Sequence, residues 1–164
     1  MDASAANVFL ATCDPGNFDQ TVLSPVDLGE FPDHPESLAD ASEVRLWGAP
    51  DGSRNESYFE KMSPGDLVLF YQDRTYVGAG LIGTAFEDED EWASTTLWED
   101  ASSHFVYTVE DFSEIAVPRS ALNRIFDYNG TYTPQELTRV ADGRVTKRPA
   151  VIKHAVEKYS ERNG

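Results

Sequence analysis

The stretch from residue 44 to residue 82 reads VRLWGAPDGSRNESYFEKMSPGDLVLFYQDRTYVGAGLI and carries the clearest secondary-structure pattern of the chain. Its pattern predicts a strand over Val44–Trp47, a helix over Asn55–Met62 with Asn55 as N-cap, and two strands, Asp66–Tyr71 and Tyr76–Phe86, paired as a hairpin. β-branched and apolar residues dominate the strands, whereas Gly, Asn and Asp fill the connections. The stretch therefore indicates a mixed fold with antiparallel strands.

Trp47 and Gly48 stand together at the end of the first of these strands. Burial alone does not require a Trp next to a Gly, but a flat ring beside bare backbone suits a planar guest that stacks on it. We therefore expect Trp47 to form a wall of a pocket that solvent can reach. The alternative is an ordinary core position, because aromatic side chains are common inside half-open sheets.

The flanking sequence extends the pattern in both directions. Its predicted elements are a strand Val8–Thr12, a long loop over 13–40, a helix Glu89–Leu97, strands Phe105–Val109 and Ile115–Val117, a helix from Pro118 to about Phe126, and a last helix from Arg148 or Pro149. In the last helix Val151, Ile152, Ala155, Val156 and Tyr159 form one apolar face. These elements predict a single α+β domain over residues 1–164, a curled sheet or open β-barrel surrounded by short helices, with residues 1–6 and 160–164 as flexible ends.

Acidic residues dominate the composition, with 29 Asp and Glu against 13 Lys and Arg and a formal net charge of −16. Such a carboxylate coat is typical of halophilic proteins, because concentrated salt screens its self-repulsion. The alternative is an acidic protein from an ordinary cytoplasm.

The charge is unevenly distributed along the chain, since residues 125–164 hold seven basic and five acidic side chains. The C-terminal quarter is therefore the part of the chain that would tolerate a phosphate backbone.

Cys13 is the only cysteine, which excludes a disulfide within the chain and a zinc site built on several thiolates. The N-terminal sequence has neither a basic start nor a long apolar run, and no segment is long enough for a membrane span. We therefore expect a soluble, cytoplasmic protein that does not associate with membranes.

Three patterns that could indicate catalysis do not meet the geometry that their chemistry needs. The run Gly78-Ala-Gly80-Leu-Ile-Gly83 spells a dinucleotide-binding motif, but it lies inside a strand, where glycines more simply let another element pack closely. The acidic run 87–91 lacks the spacing and the Gly of a calcium loop. The three histidines stand apart from each other and from the cysteine, which gives no support to a zinc triad or a Cys–His nucleophile pair. A nuclease site that aligns two acids and a lysine on a strand needs a carboxylate two residues before the lysine, and no lysine of this chain has one. We expect no metal, no cofactor and no enzyme activity.

The order of the motifs resembles a known family. The runs W-G-x-P-x-G-x-R-N from Trp47, PGDLVLFY from Pro64, YVGAGLI from Tyr76 and LW at Trp98 are similar to the EVE and YTH-like branch of the PUA-like superfamily. They are most similar to the N-terminal DNA-recognition domains of McrB-type modification-dependent restriction systems, over roughly Val8–Val117. The resemblance implies a PUA-like fold that binds a modified base.

The resemblance also implies an aromatic cage for a base flipped out of its stack. It places Trp47 in the first cage wall and Trp98 in the second, with Trp92 as the rival. In the family, polar residues at the end of the first strand form hydrogen bonds with the edge of the base. Thr12, Cys13 and Asp14 occupy that position here. The candidate base-binding residues are Trp47, Trp98, Tyr71, Thr12, Cys13, Asp14, Gly48 and Asn55.

Selectivity is expected at the polar strand end, because aromatic walls can stack any base. An ionised Asp14 only accepts hydrogen bonds and so favours a base edge with an amino or methylamino N–H, as adenine and cytosine have. The preferred modified base is N6-methyladenine, with a modified cytosine next. Alternatively, Asp14 bonds the backbone of the turn at Pro15-Gly16. The chain lacks the Ser–Asn pair of methylated-RNA readers, and Gln72 stands where many EVE domains carry His.

Basic residues supply the candidate phosphate contacts, whose alternative role is to neutralise the acidic body or cap carbonyl groups. They are Arg54, Arg139, Arg144, Lys147, Arg148 and Lys153.

The sequence thus predicts a non-catalytic module that binds a modified base in DNA, in preference to RNA, and acts with a separate nuclease or motor protein. The alternatives are a metabolite-binding protein or small enzyme using the same pocket, or a protein-interaction module with an exposed apolar patch on the last helix.

Overall fold

The computed structural model describes residues 7–39, 41–98 and 103–163 of the chain. Its strands are β1 (Val8–Thr12), β2 (Val26–Asp27), β3 (Glu43–Ala49), β4 (Leu67–Gln72), β5 (Thr75–Glu87), β6 (Phe105–Pro118) and β7 (Leu137–Arg139). Its α-helices are α1 (Pro15–Phe18), α2 (Ser53–Phe59), α3 (Trp92–Thr96), α4 (Arg119–Ile125) and α5 (Pro149–Asn163). The predicted ends 1–6 and Gly164 lie outside the described residues, whereas 160–163 continue α5.

The strands form one open seven-stranded sheet in the order β2-β3-β6-β5-β4-β1-β7. β1 runs parallel to β4, with Val8 opposite Leu67 and Thr12 opposite Tyr71, and the other neighbours are antiparallel. A parallel pair needs a long crossover, and here the crossover contains α1, β2, β3 and α2. It brings the end of β3 beside the end of β1. The predicted α+β class with an open, curled sheet is confirmed.

β6 is one bent strand, so the prediction of two separate strands over Phe105–Val109 and Ile115–Val117 was wrong. The charged residues between them look like a turn in sequence, but they pair with β5 across several register shifts. Asp111 has a φ of 50° in this segment. Such irregularities bend a strand without ending it, which is why a simple alternation pattern missed the continuity.

The glycines of β5 allow β6 to pack closely, as the sequence predicted. A Cβ at Gly78 would lie 2.7 Å from the Phe112 ring, and one at Gly80 would lie 2.3 Å from Val109 Cγ1. Both distances are shorter than real Cβ contacts. The run therefore belongs to a strand that needs bare backbone, and the dinucleotide-binding reading is excluded.

Residues 13–39 are more ordered than the loop predicted over 13–40, whose last residue lies outside the described residues. Asp14 caps α1, a π-helical turn (Asp19–Leu23) follows it directly, and two 3₁₀ turns, Leu28–Glu30 and Glu36–Leu38, flank the rest of the crossover. The buried side chains Phe18, Val22, Leu28 and Leu38 attach this segment to the core. Prolines suggested a loop, but the apolar residues between them decide the structure.

Two further boundaries differ from the prediction. Gly52, rather than Asn55, is the N-cap of α2, and Asn55 lies inside the helix with its side chain turned into the protein. β7 was not predicted because only Leu137–Arg139 form it, by pairing with β1. Three residues are too few to show a strand pattern in sequence.

The core has two clusters, one on each face of the sheet. Phe9 and Ala11 of β1 point to the first cluster, and Val8 and Leu10 point to the second, which α4 and α5 cover. The predicted apolar face of α5 is only partly buried: Ile152 and Val156 are enclosed, whereas Val151 and Tyr159 are 48% and 36% exposed. Within the described ranges, no helix combines the length and apolar composition needed to cross a membrane.

Candidate functional site

A cavity of about 360 Å³ lies where β1 and β3 end. We call it the tryptophan pocket; its lining residues are Thr12, Cys13, Asp14, Asn17, Trp47, Gly48, Pro50, Trp98, Ser103 and Glu136. The volume falls in the range of about 300 to 1,000 Å³ that is usual for small-ligand sites. Six of the eight candidate base-binding residues thus lie in one cavity, although they come from three separate parts of the chain.

Trp47 is both a core residue and a wall of the pocket. Its ring meets those of Phe18, Phe70 and Trp98 edge-on, at centroid distances of 6.1, 6.4 and 5.8 Å. These contacts leave the side chain only 7% exposed. The two roles that the sequence left as alternatives therefore coexist, and the rigid core behind Trp47 fixes the orientation of its ring.

Trp98 is the second aromatic wall, held by its indole N–H and by the bare backbone of β3. The N–H donates to Thr21 Oγ1 over 3.1 Å, and that hydroxyl donates to Leu46 O over 2.7 Å. A Cβ on Gly48 would lie 3.2 Å from two carbons of the Trp98 ring. A larger residue would push the ring away by a few tenths of an ångström, so glycine lets the ring lie directly against the strand. The rival, Trp92, packs against Phe31 outside the pocket.

Cys13 lies at the polar end of β1 and is held from two sides. Its backbone N–H donates to Tyr71 O over 3.0 Å, and Gln72 Nε2 donates to its sulfur over 3.5 Å. Burial raises the pKa of the Cys13 thiol to about 12, an effect that the hydrogen bond from Gln72 only partly opposes. The thiol is therefore neutral at physiological pH, and it lacks the thiolate character of a nucleophile.

Asp14 caps α1 while lining the pocket. One carboxylate oxygen accepts from the Asn17 backbone N–H over 3.0 Å, and the other accepts from Asn17 Nδ2 over 3.3 Å. The turn role that the sequence left open for Asp14 is therefore present. Two of the carboxylate's lone pairs already hold the helix, which restricts what the group can offer to a guest.

Glu136 is the charged pocket residue that sequence reasoning missed. It precedes β7, has a φ of 42°, and its backbone oxygen accepts from the Thr12 N–H over 2.9 Å. Its Oε1 accepts from Asn55 Nδ2 over 3.0 Å. A left-handed conformation costs a non-glycine residue about 1 to 2 kcal/mol, so the surrounding contacts must hold it. No local pattern marks Glu136, since pairing of β7 with β1 brings it to the pocket.

Asn17, Pro50 and Ser103 were also missed, and two of the candidates lie elsewhere. Asn55 sits behind Glu136 and Pro50, where its side chain is 2% exposed. Tyr71 packs against Tyr76 in the second core cluster, with ring centroids 5.2 Å apart. Neither Asn55 nor Tyr71 lines the pocket.

Four of the six candidate phosphate contacts make intramolecular contacts. Arg139 binds Asn7 and Asp142, and Lys153, only 5% exposed, lies against Glu157, Ser113 and Asp111. Arg54 and Arg144 bind backbone carbonyl groups. Lys147 and Arg148 are exposed just before α5. None of the six lines the tryptophan pocket.

A second aromatic group, which we call the tyrosine cluster, consists of Tyr58, Tyr71, Tyr76, Tyr128 and Tyr132. The rings of Tyr128 and Tyr132 stack with centroids 4.0 Å apart at an interplanar angle of 11°. The Arg144 guanidinium lies 4.4 Å from the Tyr128 ring centre, and that of Arg54 lies 5.1 Å from the Tyr58 ring centre. Burial raises the pKa of Tyr128 to about 12, so this hydroxyl is neutral at physiological pH.

Three arginines of this region brace the connection between α4 and β7, residues 126–136. Arg144 donates to Phe126 O over 3.2 Å and Arg119 to Thr133 Oγ1 over 2.7 Å. Arg54 donates to Gln135 O and Leu137 O, over 3.3 Å each. The arginines therefore position the segment that delivers Glu136.

His104, next to the pocket residue Ser103, links the loop after β3 to the start of α3. Its Nδ1 lies 2.5 Å from Asp51 Oδ1, in the loop after β3, and its Nε2 lies 3.3 Å from Glu91 Oε2, just before α3. The hydrogen bond to Asp51 is the largest influence on the ring and raises the pKa of His104. In the described part of the chain, no three His, Cys, Asp or Glu side chains are grouped so as to hold a metal ion.

Comparison with known proteins shows a likeness of fold. No protein-family model and no curated protein matches the sequence. Among solved structures, the chain is similar to the N-terminal domain of Thermococcus gammatolerans McrB bound to m5C DNA, with a TM-score of 0.69 and 19% sequence identity. The match covers 92% of this chain and 99% of that domain. The chain therefore shares the fold of that McrB N-terminal domain, as the sequence led us to expect.

Proposed function

We propose that the protein is a non-catalytic DNA-binding module that holds a modified base in the tryptophan pocket. The observation that carries the proposal is the pairing of two indole walls, Trp47 and Trp98, with a polar strand end around one cavity of about 360 Å³. The structural neighbour is bound to methylcytosine DNA, which supports the same use of the shared fold.

Physical chemistry supports a flipped base as the occupant. A base that leaves its stack loses about 1 to 3 kcal/mol, which aromatic side chains can restore. A methyl group on the base adds up to about 0.8 kcal/mol if it enters an apolar corner. The edge-on contact of Trp47 with Trp98, at an interplanar angle of 65°, offers two differently oriented aromatic surfaces to such a guest.

Two modified bases are the candidates. N6-methyladenine is the base preferred from the sequence, and the DNA bound to the structural neighbour favours 5-methylcytosine. Both carry an exocyclic amine, which suits a pocket whose charged side chains, Asp14 and Glu136, are hydrogen-bond acceptors. A nuclease or motor protein would be the partner that acts on the bound DNA.

A second candidate function is the binding of a small amine-bearing metabolite. The charge of the pocket favours it: the described lining includes Asp14 and Glu136 but no Lys or Arg. Positive surface beside the pocket would be expected for a site that also binds phosphates. Lys147 and Arg148 are the exposed cations that remain as candidates for that role.

A binding screen tests the two functions against each other. Matched oligonucleotides, unmodified or carrying one N6-methyladenine or 5-methylcytosine, would be titrated as single strands and duplexes, in DNA and RNA, over a series of salt concentrations. The free modified nucleosides form the parallel arm. We expect tighter binding of a modified DNA strand than of its unmodified match. Equal binding of modified and unmodified strands would contradict the proposal, and tight binding of a free nucleoside alone would favour the metabolite function.

A further inference from the structure

The described lining of the tryptophan pocket contains two carboxylates, and they are not equivalent. Asp14 uses both oxygens to hold α1 through Asn17. In Glu136, by contrast, Oε1 accepts from Asn55, and Oε2 has no partner among the described residues. We infer that Glu136, rather than Asp14, selects the base, by accepting a hydrogen bond from its exocyclic amine. This inference rests on the proposed function and names the group that gives it specificity.

The side chain of Glu136 is held from behind by Asn55. Asn55 Nδ2 donates to Glu136 Oε1 and to Pro50 O, over 3.0 Å each. Asn55 is 2% exposed, and its Oδ1 is buried with no partner in the described structure, so the amide has little freedom to turn. The residue that sequence reasoning placed in the pocket wall is therefore a positioning residue for the carboxylate in front of it.

The backbone of Glu136 is fixed on both sides. The Arg54 guanidinium binds the carbonyl groups of Gln135 and Leu137, the two sequence neighbours of Glu136. The Thr12 N–H binds the carbonyl of Glu136 itself. These contacts hold a residue with a φ of 42° in a conformation that an unconstrained glutamate rarely adopts. A side chain fixed before binding loses little conformational entropy when the guest arrives.

The chemistry of a carboxylate defines the class of ligand. An ionised carboxylate accepts hydrogen bonds and donates none, so it favours an N–H edge and opposes a carbonyl oxygen. The 6-position of adenine and the 4-position of cytosine carry such N–H groups, even when adenine bears one methyl on that nitrogen. Glu136 would thus admit methylated adenine or cytosine and reject bases without the amine.

The test compares bases that differ only in this hydrogen-bond donor. Single-stranded oligonucleotides would carry 5-methylcytosine or 5-methylpyrimidin-2-one, and N6-methyladenine or 6-ethylpurine, in which CH2 replaces the N–H, at one position. We expect the natural protein to prefer the amine-bearing member of the pair that it binds. Glu136→Gln keeps the acceptor for Asn55 but removes the charge, and should reduce this preference by about tenfold, as for loss of a charge-assisted hydrogen bond.

Two controls make the outcome decisive. Glu60→Gln removes an exposed negative charge outside the pocket and should leave the preference unchanged. Glu136→Asp keeps the charge but shortens the side chain, and should also lower the preference. An unaltered preference in both Glu136 variants would overturn the inference while leaving modified-base binding intact. If the natural protein prefers no modified strand over its unmodified match, the proposed function fails, and this inference with it.

Discussion

The tryptophan pocket and the tyrosine cluster are both aromatic, yet they differ in what covers their rings. In the tyrosine cluster, Tyr128 stacks on Tyr132 at 4.0 Å and an arginine lies over the other side of the group. In the pocket, Trp47 and Trp98 meet edge-on and a cavity remains beside them. Aromatic content therefore does not identify a binding site; unoccupied volume next to the rings does.

The two regions also differ in charge. Three arginines, Arg54, Arg119 and Arg144, surround the tyrosine cluster and bind the connection 126–136. The pocket carries carboxylates instead. A count of basic residues in the C-terminal quarter could not show this, because it does not reveal which cations already have partners inside the protein.

The largest expected effect comes from Trp47, which belongs to both the core and the pocket. Trp47→Ala should lower the free energy of unfolding by about 3 to 5 kcal/mol, as for other large aromatic truncations, and should abolish DNA binding. Tyr76→Ala, at an equally buried site in the tyrosine cluster, should cost similar stability but leave binding intact. Urea denaturation and oligonucleotide titration measure the two quantities. A cost below about 1 kcal/mol for Trp47→Ala would contradict the core role of the ring.

A smaller effect should separate the two regions by binding alone. Trp98→Leu removes one stacking surface, worth about 1 to 3 kcal/mol, and should weaken binding of the modified strand about 5- to 150-fold. Tyr132→Leu removes the stacked ring of the tyrosine cluster and should leave that affinity unchanged. Fluorescence anisotropy of labelled oligonucleotides measures both. If Tyr132→Leu weakens binding of the modified strand more than Trp98→Leu does, the base stacks in the tyrosine cluster and not in the tryptophan pocket.

Lys147 and Arg148 test whether exposed cations still contribute phosphate contacts. The double variant Lys147→Gln/Arg148→Gln should weaken binding to every oligonucleotide alike, because phosphate contacts carry no sequence information. It should also reduce the slope of log affinity against log salt by about 1.4 for single strands. Titrations over a salt series measure the slope. A slope that does not change removes these two residues from the interface.

The smallest expected effect is the pH dependence from His104. Because its pKa is raised above 6.5 in the folded state, its contribution to stability is fully present below pH 6.5 and is lost as the pH rises through the raised pKa. The melting temperature of the natural protein should therefore fall over that window more than that of His104→Gln. Thermal unfolding in a pH series that brackets 6.5 measures this. Parallel pH profiles would show that the contacts with Asp51 and Glu91 contribute nothing.

Local sequence patterns predicted those parts of the fold that local chemistry determines. The hairpin of β4 and β5 follows from two runs of apolar and β-branched residues joined by Asp73 and Arg74, both of which have positive φ. The strand predicted before Gly48 is also present, as β3. The polar end of β1 lies in the pocket because parallel pairing with β4 carries it there. In these cases the residues that matter are close in sequence or are set by one strand pairing.

Long-range contacts explain what the sequence could not show. Glu136 is 81 residues from Asn55, and they meet because the three-residue strand β7 pairs with β1 and Arg54 binds the residues on either side of Glu136. Asn55 has the side chain of a good N-cap, but the helix starts earlier and the amide turns inward. Arg139, Arg144 and Lys153 look available in sequence, yet each binds a group in a distant segment.

The single thiol gives the protein a built-in reporter of local opening. Cys13 lies in the pocket lining with its pKa raised to about 12, so a thiol-reactive reagent at neutral pH finds almost no thiolate in the closed state. The sulfur is half-buried in the pocket lining and is held by Tyr71 O and Gln72 Nε2, so labelling should be slow and should rise with movements that loosen these contacts. The rate of modification in the natural sequence would therefore report on this strand end, and a guest that fills the pocket would slow it without any engineered label.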